Sequence, residues 1–221
     1  METKYIRREL SAVIEEAYRY FSVITVTGPR QSGKTTLIRN LFPHLPYYSL
    51  ENLDVRSFAE NDPVAFLNQH TEGMILDEVH NAPNLLSYIQ GMVDADADRR
   101  FILSGSSQFA MLKKVTQSLA GRTAVFELLP MSYSEIREIA ADTPLDHLLF
   151  NGFYPAIYSG RNVPKFLYPA YMKTYLDKDV RDLLQIKDMM QFHTFIRLCA
   201  GRIGSLFKAS ELANEIGISS H

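Results

Sequence analysis

Gly28-Pro29-Arg30-Gln31-Ser32-Gly33-Lys34-Thr35 carries the spacing G-x-x-x-x-G-K-[ST]. Gly28 and Gly33 lack a Cβ, so the backbone can curl and turn successive N–H groups toward a phosphate anion. A helix starting near Gly33 would add unpaired N–H groups and the positive end of its dipole. Lys34 offers a compact cation to β- and γ-phosphate oxygens, and the Thr35 hydroxyl is a hard ligand for Mg²⁺. Thr36 places a further hydroxyl beside an α-phosphate. Pro29, Arg30, Gln31 and Ser32 form the turn between the glycines. The stretch from Gly28 to Thr36 therefore reads as the floor of a nucleotide polyphosphate site.

Two further clusters carry chemistry. Asp77 and Glu78 close the apolar run Gly73-Met74-Ile75-Leu76. Asp77 would hold Mg²⁺, directly or through water, opposite Thr35. Glu78 would orient and polarise water for in-line attack on a γ-phosphate. His80 completes an Asp-Glu-Val-His box similar to a helicase motif. The other helicase elements are not visible, so it reads as a loop histidine. Ser104-Gly105-Ser106-Ser107-Gln108 follows another apolar run. A hydroxyl from Ser104 or Ser106 would sense the γ-phosphate or the attacking water. Helix capping is the competing role, and the sequence does not choose.

The elements that must position these groups alternate. Ser22–Thr27, Tyr47–Leu50, Gly73–Glu78, Phe101–Ser106 and Thr123–Leu129 read as strands. Helices are expected over Tyr5–Tyr20, Thr36–Phe42, Leu85–Val93 and Ala110–Leu119, with a helix start at Asp62-Pro63. Ser132-Tyr133-Ser134-Glu135 is a capping box opening another helix. Strand–helix alternation predicts an α/β fold, a parallel sheet sandwiched by helices, with continuously apolar strands buried on both faces. Ligands of such sheets sit beyond the carboxyl ends of the strands. All three polar clusters follow strand ends, so they are expected on one edge. After Asn151 the pattern becomes helical, with helices expected over Val163–Leu184, Asp188–Arg202 and Lys208–Gly217. The expected domains are residues 1–150 and 151–221.

Composition narrows the class. The chain has 221 residues, 46% hydrophobic and 22% charged, with a net charge of −2. That suits a globular fold and carries no global signature for nucleic acid or an anionic membrane. No apolar run approaches the ~20 residues of a membrane-spanning helix. The single Cys199 excludes an intramolecular disulfide; it reads as a buried structural thiol and suits a cytoplasmic protein.

Four motifs together support a family resemblance: Gly28–Leu37, Leu76–Pro83, Leu103–Gln108 and Leu129–Glu135. Their order is similar to that of the AAA-type P-loop ATPases of bacteria and archaea whose ATPase module precedes a C-terminal domain of unknown function. The resemblance spans Tyr5 to His221. It implies an ASCE-class core, with the serine-bearing strand between the P-loop strand and the Asp-Glu strand. It implies ATP as the nucleotide, although no guanine-reading Asn-Lys-x-Asp box is present to decide chemically. Arg122 occupies the place of the AAA+ arginine finger, which acts on a neighbouring subunit's γ-phosphate; capping of helix-end carbonyls is the alternative. Asn151-Gly152-Phe153-Tyr154-Pro155 resembles a Gly-Gly-aromatic-Pro element, with Phe153 in place of the second Gly. In related signalling ATPases it lies near the base, so Tyr154 and Pro155 are candidate adenine contacts; a domain linker is the alternative. Asp177 with Arg181 and Lys178 with Asp182 read as exposed (i, i+4) pairs. Ala209–Ser219 resembles the first helix and turn of a helix-turn-helix, whose second helix would begin where the sequence stops.

The leading reading is an Mg²⁺-dependent, cytoplasmic ATPase whose turnover of ATP to ADP and phosphate drives a conformational switch. Its partners would be ATP, ADP and either further copies of itself or a protein client. The alternatives are a nucleotide-gated binding module with negligible hydrolysis, a small-molecule kinase, and an ATPase-coupled regulator that binds DNA only in a longer chain.

Overall fold

The five apolar runs form five parallel strands in one sheet: β1 (Val23–Thr27), β2 (Tyr47–Ser49), β3 (Gly73–Asp77), β4 (Arg100–Gly105) and β5 (Thr123–Glu127). The structure is a computed structural model that describes residues 5–106, 118–174 and 188–218. The strand order is β2-β3-β4-β1-β5. β4 lies between β1 and β3, as the resemblance implies, with Val26 beside Ser104 and Leu76 beside Leu103. Three strand ends therefore share one edge.

Each face of the sheet is covered. Side chains alternate across a strand, so Met74, Leu76, Phe101 and Leu103 enter one core while Ile24, Val26, Ile75 and Ile102 enter the other. The first core is closed by Ala59 of α3 (Leu53–Asn61), Phe66 and Leu67 of α4 (Pro63–Leu67), and Leu85, Leu86 and Ile89 of α5 (Leu85–Ala95). The second is closed by Ile14 of α1 (Leu10–Ala17) and by Leu37 and Ile38 of α2 (Lys34–Leu41). Asp62 caps α4 by accepting from the Ala65 N–H, with Pro63 in the first turn.

The chain divides into two compact units, residues 1–164 and 165–221. Beyond the sheet, the first unit holds α6 (Tyr133–Ile139), α7 (Leu145–Asn151) and α8 (Pro155–Tyr158). The capping box forms as expected: Ser132 Oγ accepts from the Glu135 N–H, and Glu135 Oε2 accepts from the Ser132 N–H. A small third core joins Met131, Ile136 and Leu148, with Ile6, Phe153 and Tyr158 packed against it. The second unit contains α9, which begins at the boundary (Pro164–Tyr171), α10 (Met189–Ala200) and α11 (Ala209–Ile216). Asp188 caps α10. Gly217, at φ +78°, ends α11 in the left-handed region, as a helix stop requires.

Several expectations change. The first helix is α1 alone, because Tyr5 to Arg8 leave helical geometry. α3 has no counterpart in the sequence reading, since its sequence is mostly polar and only Ala59 is buried. The helix expected from Val163 is described as α9 and a wider turn over 172–174. Cys199 is half-buried rather than buried. Most of the Ala110–Leu119 helix, Ser107, Gln108, the Asp177–Asp182 run and Ser219 lie outside the described residues. The described part of the helix-turn-helix resemblance is α11 and its Gly217 turn. Among the described residues, no helix is long and apolar enough to cross a membrane.

Candidate functional site

The loop between β1 and α2 is shaped by its dihedral angles. Gly28 has φ +139°, Gln31 +63° and Gly33 +99°. A Cβ on Gly28 would lie 2.2 Å from the Leu128 carbonyl oxygen, so the loop passes too close to the β5 exit for any side chain. Gly33 directly precedes α2, so the first N–H groups of that helix open at the loop.

Lys34 is buried, and its Nζ donates to the Gly28 and Pro29 carbonyls, each at 3.0 Å. Burial pushes the Lys34 ammonium below the usual lysine range, against the opposing pull of Glu78 and Asp77. A buried cation beside the open N–H groups of a helix start is suited to an anion. Ser32 Oγ is fully enclosed and without a hydrogen-bond partner among the described residues. Thr36 lies on the first turn of α2, on a groove shared with Thr35, Arg39 and Asn40.

Asp77 is a junction of three hydroxyls. Its Oδ2 accepts from Thr35 Oγ1 at 2.7 Å and from the Tyr47 phenol at 2.7 Å, while Oδ1 accepts from Ser104. These partners come from α2, β2 and β4, so four elements meet at one carboxylate. Burial first, and then the bond to Asp77, hold the Tyr47 phenol well above its ordinary range. Arg39 stands over the Tyr47 ring, 4.8 Å from its centroid. Tyr47 escaped the sequence reading; its only signal is its place at the start of the strand beside β3.

Glu78 follows with a left-handed backbone, φ +54° and ψ +46°. Its Oε2 accepts from the Ser106 amide at 2.8 Å and the Ser106 hydroxyl at 3.1 Å, and lies 3.1 Å from His80 Nδ1. Burial alone would raise the carboxyl. His80, the Ser106 amide and Lys34 outweigh it and hold the group at about 2. His80 is thus the neighbour of Glu78 rather than a free loop residue. Ser104 and Ser106, two positions apart on β4 and its exit, each serve one of the two acids.

The structure thus gathers Gly28, Lys34, Thr35, Asp77, Glu78, Ser104 and Ser106 at the carboxyl edge. Pro155, at the start of α8, approaches this loop: its Cγ would lie 3.7 Å from a Cβ on Gly33. Tyr154 precedes it as the residue capping α8. Arg122 sits elsewhere. It precedes β5, at the opposite end of the strand from Glu127, which pairs with Thr27. There it donates through Nε and Nη2 to Asp94, at 2.5 and 2.9 Å, and through Nη1 to the Ala120 carbonyl. It does not join the loop of its own chain.

The site's chemistry fits a magnesium nucleotide. The oxygen pair Thr35 and Asp77 is of the hard type Mg²⁺ prefers. Among the described residues no group of three or more His, Cys, Asp or Glu gathers into a metal cage. One carboxylate and one hydroxyl match an ion that takes its remaining ligands from phosphates and water.

Comparison with known proteins bears on the same residues. A family model described as an AAA domain matches residues 20–137. A second, a domain of unknown function (DUF8612), matches residues 142–221. Two curated relatives, the uncharacterised proteins Mb2031c of Mycobacterium bovis and Rv2008c of Mycobacterium tuberculosis, are each 29% identical over 222 residues. The match covers 96% of this chain and 48% of each relative, so the chain spans about half their length. Among solved structures, the Walker-type ATPase paby2304 of Pyrococcus abyssi aligns at a TM-score of 0.50 and 16% identity, over 70% of this chain and 66% of that one. At that identity the likeness concerns the fold.

Proposed function

The chain belongs to the AAA-domain family, and from that premise we propose that it binds ATP with Mg²⁺ and hydrolyses it to ADP and phosphate as a conformational switch. The observation that carries this reading is the 2.7 Å hydrogen bond from Thr35 to Asp77. It joins the helix end of the phosphate loop to the acid-bearing strand, with Glu78 next in the chain.

The roles follow from position. Loop N–H groups from Gly28 to Thr36 and the Lys34 ammonium would bind the polyphosphate. Thr35 and Asp77 would hold Mg²⁺, which would neutralise charge on the phosphate oxygens. Glu78 would direct water toward the γ-phosphate, its negative charge stabilised and its basicity lowered by Ser106 and His80. Ser104 would couple the β4 end to Asp77. Tyr154 and Pro155 are proposed base contacts, supported by the approach of Pro155 to Gly33. Arg122, tied to Asp94 far from this loop, would act only in another copy's site. The moving part would be the segment after Asn151, with the core taken as residues 1–150. A cytoplasmic location and a homo-oligomer or protein client complete the proposal.

One observation favours a second reading, a nucleotide-gated module with negligible hydrolysis. Glu78, held at about 2 by its partners, is a weak proton acceptor near neutral pH. Equilibrium binding of ATP with Mg²⁺, paired with phosphate release, separates the two. Both readings expect binding in the unmodified protein and none in Lys34→Ala. Equal binding by that variant would remove the phosphate loop from the function.

A further inference from the structure

Outside the motifs, Arg8 donates four hydrogen bonds to described residues. It is 7% exposed, although it lies in the non-helical segment before α1. Nε donates to Glu135 Oε1 at 2.9 Å. Nη1 donates to the Ser32 carbonyl at 2.8 Å, and Nη2 to the Leu129 and Pro130 carbonyls at 2.8 and 3.2 Å. One planar fork thus ties the N-terminal segment, the phosphate loop, the β5 exit and the α6 capping box.

We propose that Arg8 is a positioning residue of the phosphate loop, whose guanidinium fixes the Ser32–Gly33 peptide so that the Gly33 N–H faces the phosphate side. The inference rests on the nucleotide-binding reading above. In a trans peptide the C=O and the following N–H point in opposite directions, and the described residues contain no cis peptide. Holding the Ser32 oxygen outward on Arg8 therefore turns the Gly33 N–H inward. Gly33, at φ +99°, lacks the steric restraint that a Cβ would impose on this peptide. The outer side is walled by Arg8 itself, whose Nη1 lies 3.8 Å from a Cβ built on Gly33, and by Pro155. Without Arg8 the buried Ser32 carbonyl loses its partner, and a flip would aim its oxygen at the phosphate.

Glu135 meets the fork at Nε alone. It is buried, and it accepts from the Glu9 N–H at 2.7 Å and the Ser132 N–H at 2.8 Å as well as from Arg8. A lysine offers one point charge in place of the planar fork.

The test compares Arg8→Lys with Glu135→Gln, using ADP as the probe, below the melting temperature of both. Glu135→Gln loosens the same corner without removing the donor to Ser32. Arg8→Lys is expected to weaken ADP binding about tenfold or more, and Glu135→Gln by less than about threefold. The Gly33 amide resonance should move in Arg8→Lys and stay in place in Glu135→Gln. Equal affinity losses in the two variants, or an unmoved Gly33 resonance in Arg8→Lys, overturn the proposal. Should Arg8→Lys fail to fold, Arg8→Gln takes its place; failure of both makes Arg8 a folding residue and also overturns it. Should the unmodified protein bind no nucleotide, the nucleotide reading falls, while the Gly33 resonance still decides the role of Arg8.

Discussion

Ser106 donates both its amide and its hydroxyl to one oxygen of Glu78, at 2.8 and 3.1 Å. These donors stabilise the carboxylate and lower its basicity together. Ser106→Ala removes the hydroxyl and keeps the amide. Turnover should rise about fivefold, the equivalent of one ordinary hydrogen bond of ~1 kcal/mol, with ATP affinity unchanged. Steady-state phosphate release checks this; a fall in rate would make Ser106 an orienting group that Glu78 needs.

Tyr47 shares Asp77 Oδ2 with Thr35. Tyr47→Phe keeps the ring under Arg39 and deletes the hydroxyl. The Mg²⁺ concentration supporting half-maximal ATP binding should rise about fivefold, for the loss of ~1 kcal/mol of hydrogen bonding. Mg²⁺ titrations of nucleotide affinity read it out, and the same lost bond should lower the melting temperature in the absence of Mg²⁺ by about 2–4 °C.

Gly28 and Gly91 make a paired test of backbone space. A Cβ on Gly28 meets the Leu128 carbonyl at 2.2 Å, whereas one on Gly91, inside α5, meets nothing within 4 Å among the described residues. Gly28→Ala should destabilise the fold by more than ~1 kcal/mol and abolish nucleotide binding. Gly91→Ala should stabilise it by roughly 0.5–1 kcal/mol. Chemical denaturation measures both.

The strands were legible because each is a short run rich in apolar residues, with β1, β3 and nearly all of β4 buried and β2 and β5 more open at the sheet edges, and three of them end in polar residues whose side chains meet. Thr35 stood out by the G-x-x-x-x-G-K-[ST] spacing, and Asp77 and Glu78 by their place at the end of an apolar run. Arg8 could not: its partner Glu135 lies 127 positions away, and no local pattern marks it. Glu135 was visible only as half of a capping box, since that role needs four consecutive residues while its ion pair needs the whole fold. Tyr47 looked like an ordinary strand aromatic for the same reason. α3 was missed because a helix that buries one alanine leaves almost no apolar stripe. Arg122 shows the reverse case, a residue read from its place in a motif whose described partner, Asp94, comes from α5.

Glu135 also gives a pH dependence. Burial works to raise its carboxyl, but Arg8 and the Ser132 and Glu9 N–H groups hold it below its ordinary value of 4.5. A lowered folded value means that its stabilisation is complete above pH 4.5 and is lost as pH falls through the folded value. Glu135→Gln should be less stable than the unmodified protein at neutral pH. The gap should narrow on acidification below pH 4.5. Urea denaturation across that window measures it, and a gap independent of pH would remove the Arg8–Glu135 pair as its source.

The most direct measurement of the central claim is phosphate release by Glu78→Gln with ATP and Mg²⁺, beside its ATP affinity. Glu78→Gln should bind ATP within about threefold of the unmodified protein and release phosphate at least about a hundredfold more slowly, the scale of a lost general base. Release at the unmodified rate would contradict the role of Glu78, and an unmodified protein that binds ATP yet releases no phosphate would contradict hydrolysis itself.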